Sequence, residues 1–233
     1  MIEIVSATRF TESEFWAKSA LGISLALART TWNEPVIASI TFENSAGLPD
    51  LYNARIAAKN DHDILIFIHD DVWIDDLSFC ERVIDGCNTF DVIGLAGSFH
   101  TQPNQVGCMF NEWSPLDNSF SIRSDLRPGG SVAHGPGPFG ERSYFGPMGL
   151  ECELLDGVFL AMKKKALLDS GTRFDPQFKF HFYDLDFCRT ARLRKLRLGT
   201  WPILVTHQSH GSFGSKTWIE QLTTYRAKWA AVG

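Results

Sequence analysis

The chain has 233 residues, which is enough for a single α/β domain with a sizeable core. Its 22 Lys and Arg and 27 Asp and Glu give a formal net charge of −5, and this acidic balance argues against a nucleic-acid-binding protein, because phosphate neutralisation needs a surplus of cations. Five cysteines without a Cys-x-x-Cys pair argue against a disulfide framework and a thiolate zinc site, and they favour a reducing compartment. We expect a cytoplasmic protein without a transmembrane segment, because the sequence opens directly in a strand pattern and contains no apolar run of about 20 residues.

The first hundred residues alternate between strand and helix patterns. Thr11 and Glu14 have the spacing of a capping box, which predicts a helix start at that point. The predicted elements in chain order are a strand at 2–7, a helix at 12–29, a strand at 36–42, a helix at 51–59, a strand at 64–68, a helix at 75–88 and a strand at 91–96. This alternation is typical of an α/β fold with a mostly parallel sheet flanked by helices.

Residues 98–149 interrupt the alternation with a segment rich in Gly, Pro, Asn and Ser. A structureless loop of this length is unusual inside a compact domain, so we interpret the segment as an ordered insertion or flap at the active site. A surface insertion without a role in the chemistry is the alternative. On either interpretation we expect the whole chain, 1–233, to form a single domain.

Regular structure resumes after the insertion. The patterns predict a strand at 153–162, helices at 163–170 and from about 184 to 196, a last strand at 201–206 and a C-terminal helix at 217–233. Gly171 is a predicted helix stop. The C-terminal helix has one aromatic and apolar face, which packs against the core or a second copy of the chain, or alternatively lies on a membrane surface.

Three polar clusters follow predicted strands or open a predicted helix. The first is His69-Asp70-Asp71, the second is Tyr183-Asp184-Leu185-Asp186, and the third is His207 with His210. Ligands of open α/β sheets bind outside the carboxyl ends of the strands, and oxygen and nitrogen donors of this kind suit a divalent cation such as Mg²⁺ or Mn²⁺. The clusters therefore predict one metal-dependent site, with helix capping by the aspartates and purely structural histidines as the alternative.

The same residues resemble the motifs of family 2 glycosyltransferases, which have the GT-A fold, and the resemblance covers nearly the whole chain. Residues 63–72 resemble the buried strand that ends in the metal-binding acidic motif of that family, here in a His-x-Asp variant with His69 at the position of the first aspartate. Residues 155–165 are similar to the acceptor-side segment of the family, residues 174–188 to the segment that carries the catalytic base, and residues 205–212 to the final strand.

The resemblance implies a metal-dependent inverting glycosyltransferase. Such an enzyme moves a sugar from a nucleotide-diphosphate donor, with a UDP-sugar favoured, to a hydroxyl of a saccharide or lipid-linked acceptor. It implies a cofactor, Mn²⁺ or Mg²⁺, held by Asp71, His207 and His69. Asp184 falls at the position of the catalytic base, with Tyr183 in place of the preceding glutamate. We expect the helix N-terminus to lower the pKa of Asp184.

The resemblance also implies residues that contact the substrates. The expected donor-binding residues are Ser6, Thr8, Arg9, Glu43, Asn44, Asn53, Asp70 and Asp71. The expected donor-sugar and acceptor residues are Asp156, Gly157, Tyr183, Asp186 and His210. Ordinary turn chemistry is the alternative for the residues near the first two strands.

Two other functions stay open. Because His69 and Tyr183 depart from the family pattern, a catalytically silent module that binds a sugar or nucleotide is one alternative. A sugar nucleotidyltransferase is the other, but it predicts a glycine-rich phosphate loop after the first strand, where this chain has Ser6-Ala7-Thr8-Arg9. Peripheral contact with the inner face of a membrane and assembly into homo-oligomers are also compatible with the sequence.

Overall fold

A computed structural model describes residues 1–28, 32, 34–102, 105–110, 112–117, 119–121, 127–209, 211 and 213–230. Strands and helices alternate over the first 94 residues, a run of strands follows up to residue 163, and the helices flank a central sheet. This arrangement confirms the predicted α/β class.

The strands form two larger sheets and a short hairpin. In chain order they are β1 (Ile2–Ala7), β2 (Val36–Thr41), β3 (Ile64–Ile68), β4 (Val72–Ile74), β5 (Val92–Gly94), β6 (Ala96–Ser98), β7 (Glu112–Ser114), β8 (Ser119–Ser121), β9 (Pro128–His134), β10 (Glu141–Gly146), β11 (Glu151–Cys152), β12 (Leu154–Leu155), β13 (Phe159–Lys163), β14 (Leu198–Thr200) and β15 (Val205–His207).

The helices are short, and several begin or end at recognisable caps. They are α1 (Glu12–Lys18), α2 (Ala20–Ala28), α3 (Leu48–Ala57), α4 (Phe79–Thr89), α5 (Lys164–Ser170), α6 (Tyr183–Leu193) and α7 (Lys216–Trp229). The predicted capping box of Thr11 and Glu14 opens α1, and Gly171 closes α5 with a left-handed backbone, at φ 66°. Both caps confirm predictions made from local sequence.

The central sheet is mixed. Its strand order is β11-β14-β5-β13-β3-β1-β2. β1 runs parallel to β2 and β3, and β14 parallel to β5, but β13 lies antiparallel between β3 and β5, and β11 is antiparallel to β14. As the sequence predicts, most strands of this sheet run in one direction. The reversed direction of β13 could not be predicted, because a short, fully apolar strand carries no local information about its direction.

The second sheet contains strands of the insertion and also β4, the strand that follows β3. Its strand order is β12-β6-β9-β15-β4, with β10 paired to β9. β9 and β10 belong to the Gly- and Pro-rich segment, so part of residues 98–149 is sheet. β15 runs parallel to β9 and antiparallel to β4, which begins directly after Asp71.

Three predicted elements are divided in the structure. Helix 12–29 breaks at Ser19, whose extended backbone ends α1 and whose Oγ accepts a hydrogen bond from the Gly22 N–H at 2.8 Å. Gly22 permits this break, because a Cβ there would lie 2.1 Å from the carbonyl oxygen of the preceding helix. Strand 91–96 divides into β5 and β6, and strand 153–162 divides into β12 and β13; the two parts join different sheets in each case. The predicted strand 201–206 is not divided but begins only at Val205, as β15.

The aromatic face of α7 is buried against the core. Trp218, Leu222, Tyr225 and Trp229 are each at most 5% exposed. This packing confirms the core interpretation of the helix, so the same face does not provide a membrane-binding surface. The helix ends at Trp229, earlier than predicted, and residues 231–233 lie outside the described part of the chain.

All five cysteines are free and buried, in agreement with the prediction of no disulfide framework. Within the described ranges, none of the helices combines the length and the apolar character that a bilayer-spanning segment needs.

Candidate active site

A cleft of about 860 Å³ opens at the carboxyl end of β3. Its walls include residues 68–71 after β3, residues 156–158 before β13, residues 180–185 around the start of α6, and side chains of β9 and β10. The volume lies in the range of roughly 300–1,000 Å³ that is typical of small-molecule sites. The Gly- and Pro-rich insertion therefore forms part of the cleft wall.

His69, Asp71 and His207 meet in this cleft. Each offers one ligand atom, and these atoms lie within 4.8 Å of one another. The pairing of β15 with β4 brings them together, because its register sets His207 opposite Val72, next to Asp71. The Gln208 N–H also donates a hydrogen bond to the Asp71 carbonyl oxygen at 3.0 Å. The structure thus joins the three residues that were expected to hold a cation.

The donor atoms of this cluster fit a divalent cation. Asp71 Oδ1 is buried and accepts no hydrogen bond within the described residues, and His207 Nε2 lies 3.2 Å from it. Burial alone would raise the pKa of Asp71, but the neighbouring imidazoles of His207 and His69 outweigh it and lower the pKa to about 2. Burial lowers the pKa of His69, which favours the neutral, ligating imidazole. An orphaned carboxylate oxygen beside two imidazoles is a suitable donor set for a transition-metal ion.

Asp184 and Asp156 are two further carboxylates of the cleft. Each accepts a hydrogen bond from a backbone N–H of the turn before β13. Gly157 donates to Asp184 Oδ2 at 2.9 Å, and Val158 donates to Asp156 Oδ1 at 2.9 Å. The Cys108 thiol, from the insertion, lies 3.4 Å from Asp156 Oδ2. The turn therefore holds both carboxylates in defined orientations.

The environment of Asp184 raises its pKa. Burial, and then repulsion by the Asp156 charge, raise this pKa to about 7. The expectation that the start of α6 lowers the pKa of Asp184 is therefore wrong. Desolvation of a buried carboxylate outweighs a helix dipole, which is typically worth about 0.3–1 kcal/mol. A carboxyl group with this pKa can gain or lose a proton near neutral pH.

Gly157 has no room for a side chain. A Cβ there would lie 2.5 Å from the Tyr183 hydroxyl oxygen and 2.8 Å from the Asp184 Cβ. We expect Gly157→Ala to push the start of α6 away from the turn and to destabilise the protein by about 1–3 kcal/mol, as overpacking usually does. Urea denaturation measures this loss. Gly137→Ala is the control, because no atom lies within 4 Å of a Cβ at that position; equal stability of the two variants would contradict the prediction.

Two of the expected substrate-binding residues are held elsewhere. The Asn53 side chain bonds the backbone of Phe174, with its amide nitrogen donating to the carbonyl oxygen at 2.8 Å and its oxygen accepting from the N–H at 2.9 Å. Asp186 lies 2.7 Å from Lys228 Nζ and accepts a hydrogen bond from Trp229 Nε1 at 2.9 Å. Neither residue is part of the cleft lining, so their contacts hold α3 and α7 in place instead.

Most of the expected donor-binding residues near the first strands lie outside the cleft lining. Asp70 lines the cleft, and its Oδ2 accepts a hydrogen bond from Thr8 Oγ1 at 2.5 Å. Five residues lie near the ends of β1 and β2 but outside the cleft lining: Ser6, Thr8, Arg9, Glu43 and Asn44. Asn44 bonds both the N–H and the carbonyl of Ala46, as in an ordinary turn. His210 lies outside the described residues.

Several cleft residues were not predicted from the sequence. β9 pairs with β15 so that His134 lies opposite His207, with their ring centroids 5.9 Å apart. The Phe180 ring stacks on His69 at 5.9 Å, and Trp218 lines the cleft from α7. No sequence spacing indicates His134, because the pairing of two distant strands places it. The aromatic character of residues 178–183 was the only available indication of Phe180.

Comparison with known proteins gives a limited result. No protein-family model matches the sequence, and no curated protein matches it. Solved structures that show a distant likeness include the following three. TarS residues 1–349 from S. aureus is 13% identical, with 97% of this chain and 64% of that chain covered and a TM-score of 0.49. The mannosyltransferase PcManGT from Pyrobaculum calidifontis, in complex with GDP-Man and Mn²⁺, is 10% identical, with 91% and 58% covered and a TM-score of 0.47.

The third is the catalytic domain of Drosophila beta1,4-galactosyltransferase 7 in complex with xylobiose. It is 10% identical, with 85% of this chain and 63% of that chain covered and a TM-score of 0.42. The chain spans less than two thirds of the length of these three structures. The α/β class itself rests on the sheets and helices of this chain.

Proposed function

We propose that this protein transfers a glycosyl group from a nucleotide-diphosphate sugar to an acceptor hydroxyl, with inversion at the anomeric carbon. The observation that carries the proposal is the convergence of His69, Asp71 and His207 with Asp184 in one cleft. The motif resemblance assigned these four residues to the two functions that such a reaction needs. Those functions are stabilisation of a diphosphate leaving group and deprotonation of the acceptor.

The leaving group is the first requirement. A divalent cation would be held by Asp71, His69 and His207. It would neutralise the negative charge that develops on the departing diphosphate. Asp71 remains ionised at physiological pH because its pKa is about 2. Asp70, supported by Thr8, is the neighbouring carboxylate and faces the same cleft. We assign the nucleotide to the ends of β1 and β2 beside this carboxylate.

Deprotonation of the acceptor is the second requirement. Asp184 would accept the proton of the acceptor hydroxyl as its oxygen attacks the anomeric carbon. The raised pKa of about 7 makes Asp184 a stronger base than an ordinary aspartate, and the Gly157 N–H holds one of its oxygens in place. Attack from the side opposite the diphosphate inverts the configuration. Asp156 and the exposed ring of Phe180 are then candidates for contacts with the acceptor.

A screen of nucleotide sugars tests the proposed function. UDP-, GDP- and dTDP-sugars are added to the protein with and without Mn²⁺, and both melting temperature and release of nucleoside diphosphate are measured. A ligand that binds only the folded state raises the melting temperature by mass action. We expect a Mn²⁺-dependent shift and nucleotide release with a suitable acceptor. Tight binding without turnover of any donor would favour the silent module, and formation of pyrophosphate from a nucleoside triphosphate would favour the nucleotidyltransferase.

The imidazoles of the cluster predict a preference among cations. Imidazole ligands suit transition-metal ions, among which Mn²⁺ binds most weakly, whereas Mg²⁺ prefers oxygen ligands and retains its water. We therefore expect Mn²⁺ to raise the melting temperature of the chelator-treated protein by several degrees more than Mg²⁺ at equal concentration. Differential scanning calorimetry measures both shifts. An equal or larger shift with Mg²⁺ would contradict the assignment of His69 and His207 as ligands.

A further inference from the structure

The side chains of His69 and Tyr183 contact each other beside the cation site. The His69 Nε2 atom lies 3.0 Å from the Tyr183 hydroxyl oxygen, although the two residues are 114 positions apart. His69 follows β3, and Tyr183 opens α6. The contact therefore links the proposed cation site to the helix that carries Asp184.

The direction of this hydrogen bond follows from the contact that the Tyr183 hydroxyl makes with Gly157. Its hydroxyl donates to the carbonyl oxygen of Gly157 at 2.8 Å, and a carbonyl can only accept. A tyrosine hydroxyl has one proton, so the Tyr183 oxygen has to act as the acceptor towards His69. The hydrogen of the second bond is then carried by His69 Nε2.

A neutral imidazole has one N–H and one nitrogen lone pair, and a partner of one nitrogen decides the state of the other. With the hydrogen on Nε2, the lone pair of His69 is on Nδ1. We propose that Tyr183 is a positioning residue, which holds His69 in the Nε2–H tautomer and leaves Nδ1 to bind the cation with Asp71 and His207. This inference rests on the proposed function, because it needs a cation at the cluster.

The surroundings hold both rings in place. Tyr183 is 3% exposed, and its ring packs against those of Tyr52 and Phe174, at centroid distances of 5.9 and 6.0 Å. Phe180 covers one face of the His69 ring. The absence of a Cβ at Gly157 allows the Tyr183 hydroxyl to reach the carbonyl. Outer hydrogen bonds of this kind orient metal-binding histidines and fix their tautomers.

The tautomer can be measured without a metal and without an activity assay. Long-range ¹H–¹⁵N spectra of the ¹⁵N-labelled, metal-free protein distinguish the two tautomers of each histidine. We expect His69 in the Nε2–H form in the wild-type protein, and a mixture of forms in Tyr183→Phe. A wild-type His69 in the Nδ1–H form would overturn the proposal, and this result does not depend on whether the variant folds.

Cation affinity provides the second test. Titration calorimetry with Mn²⁺ should show affinity about 10- to 100-fold lower for Tyr183→Phe than for the wild type. Tyr225→Phe is the control, because it also removes a buried hydroxyl, one that accepts a hydrogen bond from Arg189 at 2.6 Å outside the cleft lining. We expect its affinity to be unchanged.

The outcomes separate the two proposals. A wild-type protein that binds no cation would overturn both the cation site and the role of Tyr183. A wild type that binds Mn²⁺ with the same affinity as Tyr183→Phe would overturn only the positioning role. Weaker binding in Tyr225→Phe by the same factor would show a general loss of stability and would also count against the positioning role.

Discussion

Asp184→Asn should lower turnover by a factor of about 10²–10⁴ while making the protein more stable at alkaline pH. The loss of turnover follows from the removal of a general base, which typically contributes this factor. Asn keeps the shape of the side chain, and its oxygen can still accept the hydrogen bond of the Gly157 N–H. The fold should therefore survive, and the kinetic effect should appear in kcat with a donor at saturating concentration.

The gain in stability follows from the pKa of Asp184. This pKa is 3.8 for an ordinary aspartate and about 7 in the folded protein, so the folded state binds the proton more tightly than the unfolded state. The favourable contribution of the group is complete below pH about 4 and is lost as the pH rises through 7. Because Asn does not ionise, the variant should exceed the wild type by at most about 4 kcal/mol at pH 8, and the difference should shrink towards pH 4.

Asp186→Asn is the control for this experiment. Asp186 lies two residues further along α6 and is also buried, but it pairs with Lys228 outside the cleft lining. Loss of this charge should leave turnover near the wild-type value, because Asp186 lies outside the cleft lining. Chemical denaturation between pH 4 and 8 measures the stability of Asp184→Asn, and release of nucleoside diphosphate measures the turnover of both variants. If Asp184→Asn transferred sugar as fast as the wild type, Asp184 would not be the base.

Asp71→Asn should abolish the effect of Mn²⁺ on the protein. The substitution replaces a carboxylate oxygen of the cluster with a neutral amide, so the cation loses the anionic member of its ligand set. We expect the Mn²⁺-dependent rise in melting temperature to disappear, and turnover to fall by a factor on the order of 10³, since charge stabilisation by a metal is worth several kcal/mol.

Asp75→Asn is the control for Asp71→Asn. Asp75 is four residues further on, and its Oδ2 accepts hydrogen bonds from Thr206 Oγ1 at 2.6 Å and the Phe139 N–H at 3.1 Å, outside the lining of the large cleft. This variant should bind Mn²⁺ with wild-type affinity, as measured by titration calorimetry. Undiminished Mn²⁺ binding by Asp71→Asn would remove Asp71 from the cation site.

Local sequence patterns predicted several elements well. The apolar run of β3 has the predicted bounds, Ile64–Ile68, and the caps at Thr11 and Gly171 lie where the patterns place them. The buried face of α7 also follows from its periodicity. In each case neighbouring residues along the chain supply the physical cause, either a side chain that bonds its own helix or an apolar surface of fixed period.

Strand direction and strand division could not be predicted in the same way. β13 runs antiparallel to its two neighbours, β3 and β5, and the single predicted strand 91–96 forms β5 and β6, which belong to different sheets. Pairing between strands depends on residues far apart in the chain, whereas the hydrophobic pattern of a buried strand is the same in either direction.

By itself, the sequence determined the α/β class and the residues that could carry chemistry at the ends of strands, because both depend on composition and on short-range spacing. Only the tertiary structure decided which of them act together. The pairing of β15 with β4 brings His207 to Asp71, and the turn at Gly157 joins Asp184 to Asp156. The tertiary structure also decided the pKa of Asp184. Burial and the charge of Asp156, a carboxylate far away along the chain, act through space and outweigh the local effect of a helix start.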